Sequence, residues 1–145
     1  MTTTPAITFR EVVLDDDFSG ILDLYRAHNW THARSPERLK VAIAASSFAV
    51  VAVTGDGTVI GFARAMSDEA FAVYIADILV APEWQRRGIG RRITRTLLDR
   101  YPLDTFHHQV LIAEPGAEGF YRRLGMAPVS LYGLTAFIRT QDRPD

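Results

Sequence analysis

The chain of 145 residues contains no cysteine. That excludes a disulfide framework, a thiolate zinc site and a cysteine nucleophile. Lysine is almost missing too. Lys40 is alone among the 16 basic residues, so the positive charge is nearly all guanidinium, a bias that GC-rich codon usage explains. Neither sign of charge is in excess: 17 acidic residues leave a net charge of −1. A dedicated nucleic-acid binder carries a basic surplus, so none is expected as a partner. No run approaches the roughly 18 apolar residues of a membrane span. Met1-Thr2-Thr3-Thr4-Pro5 lacks the basic and apolar regions of a secretory signal. The expectation is a soluble, cytoplasmic protein with no membrane partner.

What is present is ordinary for a globular protein: 48% apolar and 23% charged residues. The length suits a single domain over residues 1–145, with an ordered core from about residue 7 to 139. Residues Ile7–Val13 alternate imperfectly and read as a first strand. Asp15-Asp16-Asp17 precedes Phe18, Ile21, Leu22 and Tyr25, whose spacing makes a helix face behind an acidic first turn. Such a triplet is open to a metal reading as well; a helix cap is the simpler one. Ser35-Pro36-Glu37 reads as the cap and first turn of a second helix.

Three strands follow, Phe48–Val53, Val59–Met66 and Phe71–Val80, with Gly55-Asp56-Gly57 as hairpin turn. A helix over Arg91–Tyr101, a strand over Gln109–Ala113, a short helix over Ala117–Leu124 and a last strand over Val129–Arg139 complete the order β-α-α-β-β-β-α-β-α-β. The fold class is α/β, a mostly antiparallel mixed sheet with helices on both faces.

The chemistry concentrates where the third of those strands ends. Pro82 is followed by Gln85-Arg86-Arg87-Gly88-Ile89-Gly90-Arg91 and then a helix. The first turn of a helix presents amides with no intrahelical partner, and its dipole favours an anion. Gly88 and Gly90 let an anion approach the backbone, while Arg86, Arg87 and Arg91 supply guanidinium donors. The ligand expected is a phosphate or pyrophosphate. No lysine completes a P-loop here, and Ile93 stands where a dinucleotide fingerprint has its third glycine.

Gln85-Arg86-Arg87-Gly88-Ile89-Gly90 resembles the acetyl-CoA signature Q/R-x-x-G-x-G/A of the GCN5-related N-acetyltransferase (GNAT) superfamily. Phe120-Tyr121-Arg122-Arg123-Leu124-Gly125-Met126 resembles that superfamily's F-Y-x-x-x-G-F segment. The likeness covers essentially the whole chain, about Ile7 to Arg139. It implies a bulged fourth strand splayed from the fifth, with the pantetheine arm of acetyl-CoA against the backbone of Ile78, Leu79 and Val80. It implies that Gln85 through Arg91 hold the pyrophosphate, with Phe120 and Arg123 also at the cofactor.

The resemblance makes the protein an acetyl-CoA-dependent N-acetyltransferase, without a metal, acting on a primary amine by direct attack in a ternary complex. Tyr121 takes the role of general acid for the departing thiolate. Asp77 lies in an apolar run, where a carboxylate needs a polar cleft or a cation. It is a base, an anchor for the substrate ammonium, or a partner of an arginine such as Arg64. Glu114 stands where many members have asparagine, and is a second candidate base or a helix cap. The link between the first two helices walls the acceptor site in this superfamily; here it brings Tyr25, His28, Trp30 and His32. Aromatic lining with one acidic group suits a small amine with an apolar or aromatic body. Small acetyltransferases with a similar Tyr74–Val80 strand are grouped with aralkylamine acetyltransferases. The spacing of His28 and His32 permits a metal pair, but no third ligand accompanies them. Relatives often dimerise through strands like Val129–Arg139, so a homodimer is expected. The rival function is a non-catalytic acetyl-CoA-binding sensor or interaction module.

Overall fold

The computed structural model describes residues 6–142. They form two compact units, residues 6–112 and residues 113–142. In chain order the first unit holds β1 (Ile7–Glu11), α1 (Leu14–Ala27), α2 (Pro36–Ala45), β2 (Phe48–Thr54), β3 (Val59–Ser67), β4 (Ala72–Val80), α3 (Ile89–Asp99) and β5 (His108–Leu111). The strands form one five-stranded sheet in the order β1-β2-β3-β4-β5. The first three pairings are antiparallel and β4–β5 is parallel. That is the mixed α/β sheet expected from the element order.

The two faces of the sheet are covered by different helices. Phe62 on β3 and Leu79 on β4 are directly opposite each other, on the face where Tyr25 of α1 packs 5.9 Å from the Phe62 ring. Gly61, one residue away and so on the other face, looks at α3. A methyl group there would meet Ile89 and Ile93 at 3.4 Å. The α1 face buries Ile21, Leu24, Tyr25, Val51 and Phe62, and the α3 face buries Val50, Ala63, Ile93 and Leu97. Each such aliphatic or aromatic side chain contributes about 1.5–3 kcal/mol relative to leaving it exposed. Gly20 lets α1 lie close on the sheet, since a methyl group there would sit 2.7 Å from Val59.

The acidic triplet in the first turn of α1 is a fixing device. Asp17 is buried and accepts both guanidinium nitrogens of Arg10 at 2.7 and 2.9 Å. It also accepts the Val13 amide at 2.7 Å, tying β1 to the first turn of the helix. Ser35 stands at the N-cap of α2 as expected, but its side chain makes no capping bond. The hairpin turn is built by Thr54 and Asp56, whose side chains hydrogen-bond each other and the Thr58 amide, with Gly57 at φ 89°.

The second unit holds α4 (Glu118–Arg123), followed by a 3-10 turn over Val129–Tyr132. The last strand expected over Val129–Arg139 is absent. Residues 129–132 coil into that turn, Gly133 reverses the chain at φ 71°, and nothing from 134 to 142 pairs with a strand among the described residues. Apolar sequence supplies strand propensity, but a strand also needs a ladder partner.

Asp17→Asn is expected to lower stability by about 1–3 kcal/mol, because it weakens a charge-assisted pair and a bond to a backbone amide. Thermal melting measures the loss. Arg10 holds the Asp17 carboxyl below its usual 3.8. Its contribution is therefore complete above pH 3.8 and lost as pH falls through the lower folded value. The variant's deficit relative to wild type should accordingly shrink in acid.

Candidate active site

The middle of β4 decides the geometry of the first unit. Arg64 on β3 is opposite Asp77, but the next residue, Ala65, is opposite Ile75. Ala76 is thus an extra residue, a β-bulge. It switches the alternation. Asp77 and Leu79 face α1, and below the bulge it is Tyr74 that faces the same way, opposite Met66. β5 pairs only with Ala72–Ile75. The stretch from Ala76 to Val80 has no strand neighbour on that side among the described residues. The bulge and the splay read from the resemblance are both in place.

Two side chains converge on the end of this open stretch. The Val80 carbonyl accepts His28 Nε2 at 2.7 Å and Gln85 Nε2 at 3.2 Å. A carbonyl only accepts, so the geometry puts the proton of neutral His28 on Nε2 and leaves Nδ1 as acceptor. This bond pins the end of α1 to the end of β4 and removes His28 Nε2 from any pairing with His32.

Beyond Val80 the chain makes a short 3-10 turn over Pro82–Trp84 and enters α3. Arg86 and Gly88 both have positive φ, 63° and 80°. Gly88 is the N-cap of α3, and no side chain caps this end. The first bond across this end runs from the Arg92 amide to the Gly88 carbonyl. The amides of Arg86 through Arg91 have no hydrogen-bond partner among the described residues. Alternating left- and right-handed residues turn successive N–H groups into one concavity, a backbone nest for anions. The Arg87 guanidinium lies over the Trp84 ring at 4.9 Å, and the Arg92 guanidinium over Phe9 at 4.2 Å.

On the α1 face, Asp77 is 7% exposed and carries a charge pair. Its Oδ2 accepts the Tyr25 hydroxyl at 2.7 Å and Arg64 Nε at 2.6 Å. Oδ1 has no partner among the described residues. Of the roles open to Asp77 in the sequence, pairing with Arg64 is the one the structure displays. Tyr25 is fully buried, so it acts through Asp77 rather than as a surface for a ligand. Burial, and then the negative charge of Asp77, push its phenol far above the ordinary value of 10.0, and it stays a hydrogen-bond donor. Trp30 and His32 pack around Tyr25 at ring distances of 5.8 and 5.2 Å, and His32 Nδ1 is buried without a partner among the described residues.

The second unit contains Glu114, Phe120, Tyr121 and Arg123. Glu114 precedes α4, whose N-cap is Ala117 with no side-chain cap, so the helix-capping reading of Glu114 falls. Burial, then the Glu114 carboxylate, raise the Tyr121 phenol above 10.0. It is therefore protonated at neutral pH. The Phe120 ring stands edge-on to Tyr121 at 5.0 Å. Sequence reasoning placed no value on Tyr74 or Met66 and saw Arg64 only as a partner. The switch of alternation at Ala76 is what groups them; the resemblance implies a bulge in this strand but not the residue at which it falls.

The profile of the acetyltransferase (GNAT) domain matches residues 12–141, and the chain belongs to the GNAT acetyltransferase family. A GNAT family acetyltransferase of known structure from Streptococcus pneumoniae is 30% identical with a TM-score of 0.77, covering 97% of this chain and 100% of that one. The chain is also similar to ycf52, an uncharacterized N-acetyltransferase of Pyropia yezoensis, 26% identical over 85% of this chain and 74% of that protein. A chloroplastic serotonin N-acetyltransferase of Oryza sativa subsp. japonica is 33% identical over 76% of this chain and 57% of its own length. The chain thus spans little more than half of that relative. Among the described residues no helix is long and apolar enough to cross a membrane.

Tyr25→Phe removes one of the two bonds to a buried carboxylate oxygen. It is expected to destabilise the protein by about 1.5–3 kcal/mol in urea unfolding. A change under about 0.5 kcal/mol, the usual effect of a surface substitution, would show that Asp77 is held by Arg64 alone.

Proposed function

We propose that this protein transfers the acetyl group of acetyl-CoA to the primary amine of a small molecule, by direct attack in a ternary complex within a single N-acetyltransferase domain. The observation that carries the proposal is the run of unpartnered amides from Arg86 to Arg91, at a helix N-terminus, directly after a strand with one open side. In this reading the nest takes the pyrophosphate, with Gln85 and the guanidinium groups of Arg86, Arg87 and Arg91 as its side-chain donors. The pantetheine arm takes the place of the missing strand along Ile78, Leu79 and Val80. An N–H freed there from the ladder stabilises the oxyanion that forms on the thioester carbonyl. Phe120 and Arg123 complete the cofactor site.

The amine nitrogen attacks the carbonyl carbon, the C–N bond forms and the C–S bond breaks. Tyr121 protonates the departing thiolate, a role its raised phenol supports. Asp77 holds the amine through the free Oδ1, and Glu114, exposed to solvent, takes the proton the amine loses. His28 and Trp30 line the acceptor side, with Tyr25 behind Asp77. Holding both substrates together removes much of the entropic barrier.

A homodimer belongs to the same proposal. Leu131, Tyr132, Leu134 and Ile138 are more than half exposed, and Phe137 is 93% exposed. Among the described residues β5 has a strand neighbour on one side only. Every copy therefore offers both an unpaired apolar segment and an open sheet edge, so two copies satisfy each other symmetrically. Phe137→Asp should convert the dimer to monomer in light scattering; a wild-type protein that is monomeric at high concentration ends this part of the proposal.

Tyr121→Phe tests the chemistry. The variant should lose about 10²–10⁴-fold in kcat, by thiol release, with acetyl-CoA affinity unchanged in calorimetry. Wild-type activity should fall at alkaline pH with a limb above 10.0, where Tyr121 deprotonates, and that limb should be missing from the variant. Tight acetyl-CoA binding without turnover, indifferent to Tyr121, would make the protein a sensor.

A further inference from the structure

Arg64 has more donors than its fold uses. Its side chain is 13% exposed, and Nε is committed to Asp77. The guanidinium also lies beside the Tyr25 hydroxyl, and beyond that its Nη groups make no close hydrogen bond to an oxygen among the described residues. Nη1 points along β3 to the Met66 sulfur at 4.0 Å, a weak acceptor. A largely buried cation with unfilled donors is a demand for an anion. Its neighbours set the shape of the site. Met66 is on the same face of β3 and Tyr74 is opposite it, brought to that face by the Ala76 bulge. Both are partly exposed, at 38% and 40%. The guanidinium fork thus opens onto an apolar, partly aromatic floor, with Asp77 Oδ1 on its other side.

From this geometry we propose that Arg64 binds a carboxylate of the acceptor, so that the amine acetylated is an amino acid or another carboxylate-bearing amine with an apolar body. The proposal deepens the acetyltransferase reading and rests on it. The planar Nη1/Nη2 edge matches a carboxylate in bidentate fashion, which a lysine would not. Asp77 Oδ1 gives the ammonium end an acceptor of opposite charge. The Asp77–Arg64 pair is neutral as a whole, so a polyamine, with a second positive charge and no anion, finds Arg64 against it.

The test compares phenylalanine, leucine and 4-aminobutyrate, each with its own carboxamide, by calorimetry on the full chain with CoA present. The amide keeps size and amine and removes only the charge. Wild type should bind at least one acid about tenfold or more tighter than its amide. Arg64→Gln should reduce that ratio to near one. Because Arg64→Gln leaves the Asp77 charge alone in the interior, the pair Arg64→Gln with Asp77→Asn is measured as well; the ratio cancels whatever the loss of Asp77 does to the shared ammonium. Equal binding of every acid and its amide by wild type, no binding of any, or a preference that survives in both variants, overturns the proposal. Thiol release from acetyl-CoA is followed on the same preparations. An acid preference that depends on Arg64, without turnover on any amine, would sink the transferase reading and leave the carboxylate site. Turnover without that preference would do the reverse.

Discussion

One extra residue in β4 is the constraint on which the first unit turns. An antiparallel ladder fixes which side chains share a face, and its alternation cannot be changed locally except by inserting a residue. Ala76 is that insertion. Below it, Val73 and Ile75 go into the core beside α3. Above it, Asp77 and Leu79 turn to α1. A regular strand would put Asp77 and Ile75 on one face and leave Tyr74 on the other. The strand then parts from β5 next to the bulge, after Ile75. The open ladder on one side and the buried charge pair on one face therefore begin at the same point in the chain.

The charge pair has its own logic. Burying a lone carboxylate is prohibitive, so Asp77 needs both the Arg64 cation and the Tyr25 hydroxyl to be tolerated on an otherwise apolar strand. Such a pair adds little net stability over a well-packed apolar one. Among the described residues Asp77 Oδ1 makes no hydrogen bond, and Arg64 Nη1 reaches the Met66 sulfur at 4.0 Å. The anion nest before α3 works the other way. It needs no buried charge, because its field comes from backbone amides left over when Gly88 starts the helix without a cap. One strand thus carries a side-chain site along its length and leads to a backbone site at its end.

Much of this was legible in sequence. The glycine-bearing turn could be read because its requirements are local. Gly88 reaches φ 80° without penalty, and the strand before it and helix after it follow from hydrophobic period. Asp77 could be singled out because a carboxylate in an apolar run demands an explanation. Helices and strands were placed within a few residues for the same reason, apart from the last strand. Leu134 to Arg139 has the composition of a strand, but composition does not supply a neighbour, and those residues remain unpaired.

The sequence by itself determined the fold class, the family and the position of the candidate anion site, since each depends on residues close together in the chain. Tertiary structure alone decided which partners hold Asp77, because they come from residues 25 and 64: sheet register sets Arg64 opposite it, and the packing of α1 on the sheet brings the Tyr25 hydroxyl within 2.7 Å. It alone decided that Tyr25 supports rather than lines, since full burial is a property of the packed helix. It also decided that Tyr74, Met66 and Arg64 share a face. The resemblance implies a bulge in this strand, but that grouping depends on the bulge falling at Ala76, which only the pairing of β4 with β3 shows.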